Sequence, residues 1–409
     1  MEKKESRRKD MESFGAHDCG QCACGFIMFA ILSVLLMANM KNVNAGQVQK
    51  NDKSVAIEEL GGYLSGVDCQ KNDKVEISQS FNVENSKNKS SIFFVKVADE
   101  EIGAINVTEY EGKKLTSFLY SENFFNDIGE ERISVESNGN GLSLHSKKET
   151  KVVTGENAGK TIRKNNSDRK LKKRKFSDIS KNVKLNSDEY EIDTASINDS
   201  EYTTDFSYIG THKKKYETIK NTKNTLMLYT TKLDLIANGE INNQGICWAA
   251  TGASIINYKR GGTVKCNARK VYYDLKKKYN ADPVGNIQWE KRMWEYYAIS
   301  MKYVEHKLSF TDVLYLMESH KPVFCSFLHN EENSAKNYAH AVALCGCYYR
   351  TDLQRYYYVY MDPNMPMNGE NVYVVNHIFP SELNGNTGYK FYYNPGNGDI
   401  YNNWRYAFY

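Results

Sequence analysis

The sequence predicts an α+β fold, with a helical half followed by an antiparallel sheet half in the C-terminal part of the chain and a small antiparallel β module upstream. Three observations carry this. The apolar spacing is helical from Cys247 to a segment capped at Ser309, and from Pro322 it switches to period two. Helices and strands are grouped rather than alternating, which argues against βαβ units. Between Ser91 and Glu136, short alternating stretches follow one another with turn-prone residues between them.

The start of the chain reads as a targeting segment. Lys3, Lys4, Arg7, Arg8 and Lys9 precede the uncharged apolar run Phe26 to Ala38, followed by the small-residue pattern Val43-Asn44-Ala45. That run falls short of the roughly 20 residues a membrane span needs, so residues 1–45 are expected to be a signal peptide and the protein to be secreted. An uncleaved anchor, with Met37 to Met40 extending the run, is the alternative. Residues 46–160 then form a β-rich module: a helix at Val55 to Leu64, and strands at Ser91 to Val97, Ile102 to Thr108, Leu115 to Tyr120 and Arg132 to Glu136. Residues 161–215 carry clustered Arg and Lys with no apolar period, the pattern of a disordered linker.

The second domain, 216–409, opens its regular patterning with an apolar helix from Cys247 to Tyr258 that stops at Gly261-Gly262. Asn267 can cap a second helix bearing Val271, Tyr272 and Leu275, a third runs from Ile287 to about Lys302, and Ser309 with Asp312 makes a capping box for a fourth. Strands are expected at Pro322 to Leu328, Ala339 to Tyr349, Tyr356 to Met361, Val372 to Val375, Tyr389 to Tyr393 and Trp404 to Phe408.

Composition excludes several functions. A net charge of +4 with 25% charged residues gives no extended nucleic-acid surface. Past residue 45 there is no metal-ligand spacing, phosphate-cradling glycine loop or serine nucleophile elbow, so neither metal nor cofactor is expected. Cys19, Cys22 and Cys24 would leave with the signal. Cys69, Cys247, Cys266, Cys325, Cys345 and Cys347 remain, and the two-residue spacing of the last pair disfavours a dense disulfide framework.

Cys247 has the setting a nucleophilic thiolate needs. It follows the turn-prone Asn242-Asn243-Gln244-Gly245 and opens the apolar helix, where unpaired first-turn N–H groups favour negative charge. The segment Gln244-Gly245-Ile246-Cys247-Trp248-Ala249-Ala250 resembles the nucleophile segment of the papain-like cysteine peptidases, in their secreted bacterial, staphopain-like, streptopain-like or bacteriocin-peptidase-like branch. Tyr338-Ala339-His340-Ala341-Val342 is similar to that family's histidine strand, and His340 follows Cys247 by 93 positions (340 minus 247).

The resemblance implies a two-lobed catalytic domain, with Cys247 as nucleophile, His340 as base and an orienting Asp or Asn. Asp362, at the end of the strand Tyr356 to Tyr360, is the favoured orienter, with Asn364 second. The family's oxyanion-hole Gln sits six residues before its Cys, where this chain has Ile241, so Gln244, only three before, is the candidate; Asn242, Asn243 and the Cys247 backbone N–H are the alternatives. The upstream strands resemble the inhibitory propeptide of such enzymes. The function implied is a secreted cysteine endopeptidase made as a precursor, its partner a peptide or protein substrate, with no nucleic acid and no membrane after signal cleavage. An exported non-catalytic binding module, and an amidase or acyltransferase on the same fold, are the rival readings.

Overall fold

Local chemistry sets most elements where the sequence places them. The computed structural model describes residues 50–409 except 65–71, 122–131, 139–140, 156–157, 184, 186–188, 191–215, 218–220, 223–224, 229, 232–239, 242–243, 261–265, 330–337, 351–352, 354, 366–371 and 379–390. Helix α1 (Asp52–Leu64) starts where the Asn51 side chain accepts the Ser54 N–H at 2.8 Å. Strands β1 (Val75–Ser78), β2 (Phe81–Glu84), β3 (Ser90–Val97), β4 (Glu100–Tyr110) and β5 (Lys113–Ser121) follow. The last three form a meander joined by two-residue turns, Ala98-Asp99 and Glu111-Gly112, all four residues at positive φ as tight hairpins require. Strand β6 (Arg132–Ser137) runs parallel to β2, and β7 (Leu142–His145) and β8 (Glu149–Val152) continue antiparallel from it.

The basic stretch after residue 160 is laid along these strands as far as residue 183. Thr161–Arg163 pairs with β8, Lys172–Lys173 with β6, and β9 (Phe176–Asp178) with β1. Its cations meet acidic partners: Arg174 bonds the buried Glu101 at 2.8 Å, and Arg169 bonds Glu84 and Glu136. Charge clustering reads as solvation only while those partners, 33 to 85 residues away in the chain, stay invisible. Residues 191–215 of the expected linker, and the apolar run 26–38, lie outside the described residues.

Helices α2 (Cys247–Lys259), α3 (Ala268–Tyr279), α4 (Ile287–Tyr296) and α5 (Phe310–Glu318) follow, the last three with Asn267, Asn286 and Ser309 as caps and Ser309 with Asp312 closing a capping box. Helix α4 ends before Lys302 because Ala298 turns left-handed at φ 50°. Strands β10 (Val323–His329), β11 (Tyr338–Arg350), β12 (Arg355–Met361), β13 (Val372–Ile378) and β14 (Asn403–Phe408) complete the chain, ordered β14-β10-β11-β12-β13. Of the strand expected from Tyr389 to Tyr393, only Phe391, Tyr392 and Tyr393 are among the described residues, and Tyr393 makes a lone bridge to Tyr401.

The expected fold class requires correction. The molecule is mostly one large mixed sheet, 42% strand against 24% helix, and not a papain-like helical half plus sheet half with a separate β module before it. The reason lies at two strand edges. β5 pairs with β13, Asn376 opposite Ser117 and Val374 opposite Leu119, so the upstream meander continues the C-terminal sheet. Each edge alone would leave a row of unpaired backbone groups, and joining them satisfies both. Helix α1 docks on the same sheet: the buried Arg350 guanidinium and Tyr348 hydroxyl donate to the carbonyls of Gly61 and Gly62 at 2.6 and 3.0 Å, occupying acceptors that a helix C-terminus leaves open. Residues Asn51–Tyr409 form one compact unit. Among the described residues no helix is long and apolar enough to cross a membrane.

Candidate active site

Cys247 is the first residue of α2. The short hairpin Glu240–Ile241 with Gln244–Gly245 leads into it, and the Ile246 carbonyl accepts the N–H groups of Ala249 and Ala250 at 3.0 Å each. No side chain caps this end, so the first-turn N–H groups keep their partial positive charge for the thiol. The rest of the helix is buried from Trp248 to Tyr258, which fixes where the sulfur sits.

His340 lies on β11 opposite Phe327 of β10. Helix α2 and this strand are tied directly: the buried Thr251 hydroxyl donates to the Ala341 carbonyl at 2.9 Å. Asp362 follows the last paired residue of β12, Met361, which faces Ala343. The two strands and the helix thus bring Cys247, His340 and Asp362 together. His340 Nε2 meets Asp362 Oδ1 at 2.9 Å, and Cys247 lies close enough to the imidazole to favour its charged form. His340 is 4% exposed and Asp362 1%, whereas Cys247 is half-buried and the most accessible of the three.

Asp362 is held on both oxygens. The Asn364 backbone N–H donates to Oδ1 at 2.8 Å and the Tyr393 hydroxyl to Oδ2 at 2.5 Å. Of the two sequence candidates, Asp362 therefore faces the histidine, and Asn364 supports it through its backbone. Burial opposes ionisation of this carboxyl, but the imidazolium and these donors hold it below the usual carboxylate range. Burial likewise opposes the charged imidazole, and the Asp362 carboxylate with the Cys247 contact outweighs it, raising His340 to about 10. The result favours an imidazolium beside the sulfur.

Two tyrosines complete the site, and the sequence reading missed both. Tyr393 and Tyr401 flank the His340 ring with centroids at 6.2 and 5.5 Å, restricting its rotation. Burial, reinforced by nearby carboxylates, keeps both hydroxyls well above their ordinary pKa and so protonated. Their only sequence signal is position around the turn Asn394-Pro395-Gly396-Asn397-Gly398, which by itself reads as a turn. Gln244 keeps its backbone place three residues before Cys247, while its side chain, and Asn242 and Asn243 entirely, lie outside the described residues. Cys266, Cys325, Cys345 and Cys347 are buried. Among the described residues no group of His, Cys, Asp and Glu could hold a metal ion.

No protein-family model matches the chain, and no curated protein matches it.

Proposed function

We propose that this protein is a cysteine-type peptidase with Cys247 as nucleophile, His340 as acid–base and Asp362 as orienting carboxylate. One observation carries the reading: Asp362 hydrogen-bonded to His340 at 2.9 Å, with His340 beside a half-buried cysteine at an uncapped helix start. An orienting carboxylate, a base locked in one tautomer and a thiol under a helix dipole are the parts thiolate acyl transfer needs. The thiolate adds to a peptide carbonyl, and first-turn N–H groups at Cys247, with Gln244 as the side-chain candidate, receive the developing oxyanion. His340 then passes its proton to the leaving amine, and water, deprotonated by the same imidazole, releases the thioester.

The local similarity of the Cys247 and His340 segments to papain-like motifs favours peptides as substrates. Residues 1–45 are read as the export signal, which makes the substrates extracellular proteins or peptides. Incubating the chain from residue 46 onward with casein tests the activity. Fragments should form with the wild type and not with Cys247→Ser or His340→Ala. Intact casein under all three conditions, together with ordinary slow alkylation of Cys247, would leave the binding-module reading in its place.

A further inference from the structure

The chain of buried hydrogen bonds does not stop at Asp362. Tyr393, fully buried, is followed by Asn394, which is 2% exposed and bonded on every side. Its backbone N–H donates to Asn376 Oδ1 at 3.3 Å, and its carbonyl accepts Asn376 Nδ2 at 3.0 Å. Its own side chain donates to Asn106 Oδ1 of the upstream strand β4 at 3.2 Å and accepts the Gly396 N–H at 2.9 Å. Asn106, wholly buried, is held in turn by Ser90 and Thr108. Strand register explains the reach, because Asn106, Ser117 and Asn376 stand in one row across β4, β5 and β13.

The loop after Asn394 is seated on the same upstream strands. Gly396 has φ +88° and lies so close to β5 that a Cβ there would meet Leu119 at 2.9 Å, so a side chain is excluded twice over. Asn88 donates to the Gly398 carbonyl through its side chain at 2.9 Å, and His329 donates from Nδ1 to the Ile400 carbonyl at 2.6 Å. Beyond that point the chain reaches Tyr401, which pairs back to Tyr393 through two backbone hydrogen bonds of 2.9 Å. The stretch from Asn394 to Gly398 beside Tyr393 is therefore held by contacts that begin in residues 88–119, and Tyr401 by its pairing to Tyr393 and by His329 of β10 holding Ile400.

We propose that Tyr393 is a positioning residue for the Asp362–His340 pair and that the upstream strand β4 holds it in register through Asn106 and Asn394. This rests on the cysteine-peptidase reading and deepens it. The upstream strands then act as a support built into the site, in place of the inhibitory role that their resemblance to a propeptide implies. The Tyr393 hydroxyl donates to the Asp362 oxygen that His340 does not use, keeping the carboxylate charged and aimed.

The test measures the pH dependence of Cys247 alkylation by iodoacetamide, with kcat and KM on a casein-derived peptide, for wild type, Tyr393→Phe and Asn106→Ala. Tyr393→Phe keeps the ring and its stacking on Phe327 at 5.1 Å, and removes only the donor. Its kcat should fall roughly 10- to 100-fold with KM little changed, as loss of a hydrogen bond to a charged group predicts. The acid limb of alkylation should move up by about one pH unit, because a less favoured carboxylate supports the imidazolium less. Asn106→Ala should move the same limb in the same direction by a smaller amount, about 3- to 10-fold in kcat. An unshifted limb in Tyr393→Phe overturns the proposal. A shift there with none in a folded Asn106→Ala, its melting curve intact, overturns the upstream support. Should Asn106→Ala fail to fold, Asn394→Asp, which keeps the acceptor for Gly396 and loses the donor to Asn106, replaces it with the same criterion. Wild type that neither hydrolyses the peptide nor alkylates faster than a free thiol removes the peptidase reading itself, and this inference with it.

Discussion

Replacing Asp362 with Asn isolates the charge that the site depends on. The side chain keeps its shape and can still present an oxygen 2.9 Å from His340 Nε2, but the buried imidazole loses its counter-ion. Breaking a buried ion pair costs roughly 3–5 kcal/mol, and at about 1.4 kcal/mol per pH unit this lowers the His340 midpoint by roughly 2 to 4 pH units. From about 10, the histidine falls to roughly 6 to 8, around or somewhat above its ordinary value of 6.5. The assay is an NMR titration of the His340 Cε1–H resonance, assigned by its disappearance in His340→Ala. A midpoint within about half a pH unit of wild type would refute the reasoning, because the carboxylate would then not be what holds the proton. Linkage adds a second signature. The raised histidine contributes stability that is full below its unfolded value of 6.5 and lost as pH rises through about 10. Asp362, lowered in the fold, contributes stability that is present above its unfolded value of 3.8 and lost as pH falls through its folded one. The variant should lose both slopes in a plot of melting temperature against pH.

Three further outcomes follow from other buried groups. Thr251→Val removes the donor to the Ala341 carbonyl between α2 and β11, and should cost about 1–3 kcal/mol in urea denaturation while slowing Cys247 alkylation. Glu290, buried with Oε2 unpartnered among the described residues, has its carboxyl pushed up to about 8 by burial. A raised acid pKa means stability is lost as pH rises from 4.5 towards 8, so Glu290→Gln should stabilise the fold by about 1–3 kcal/mol above pH 8 and leave it little changed near pH 4. Arg350→Met removes the buried donor to Gly61 at the end of α1 and should destabilise by about 3 kcal/mol, read by thermal melting, with early loss of hydrogen-exchange protection in residues 52–64.

Much of this molecule was legible one segment at a time. The caps at Asn267 and Ser309, the helix opening at Cys247, and the strands around His340 and before Asp362 all follow from side-chain chemistry within a few residues. The three candidate catalytic residues were readable for the same reason, since each sits at an element boundary. What local patterning could not convey is which edges join. Nothing within Lys113–Ser121 names Val372–Ile378 as its partner, because a period of two states that a strand has a buried face and not whose backbone lies beside it. The fold-class expectation failed at that edge. The same limit hid Tyr393 and Tyr401, whose role depends on an amide network joining residues as far apart as Asn106 and Asn394. It also hid the acidic partners of Arg169 and Arg174.

The most direct measurement of the central claim is the intact mass of the protein, quenched in acid during turnover of an activated peptide ester. If Cys247 is the nucleophile and His340 its base, the spectrum contains a species heavier by one acyl group, the adduct maps to the peptide bearing Cys247, and it is absent in Cys247→Ser. His340→Ala should form it far more slowly. Turnover with no adduct on Cys247, or an adduct formed equally fast without His340, would contradict the account.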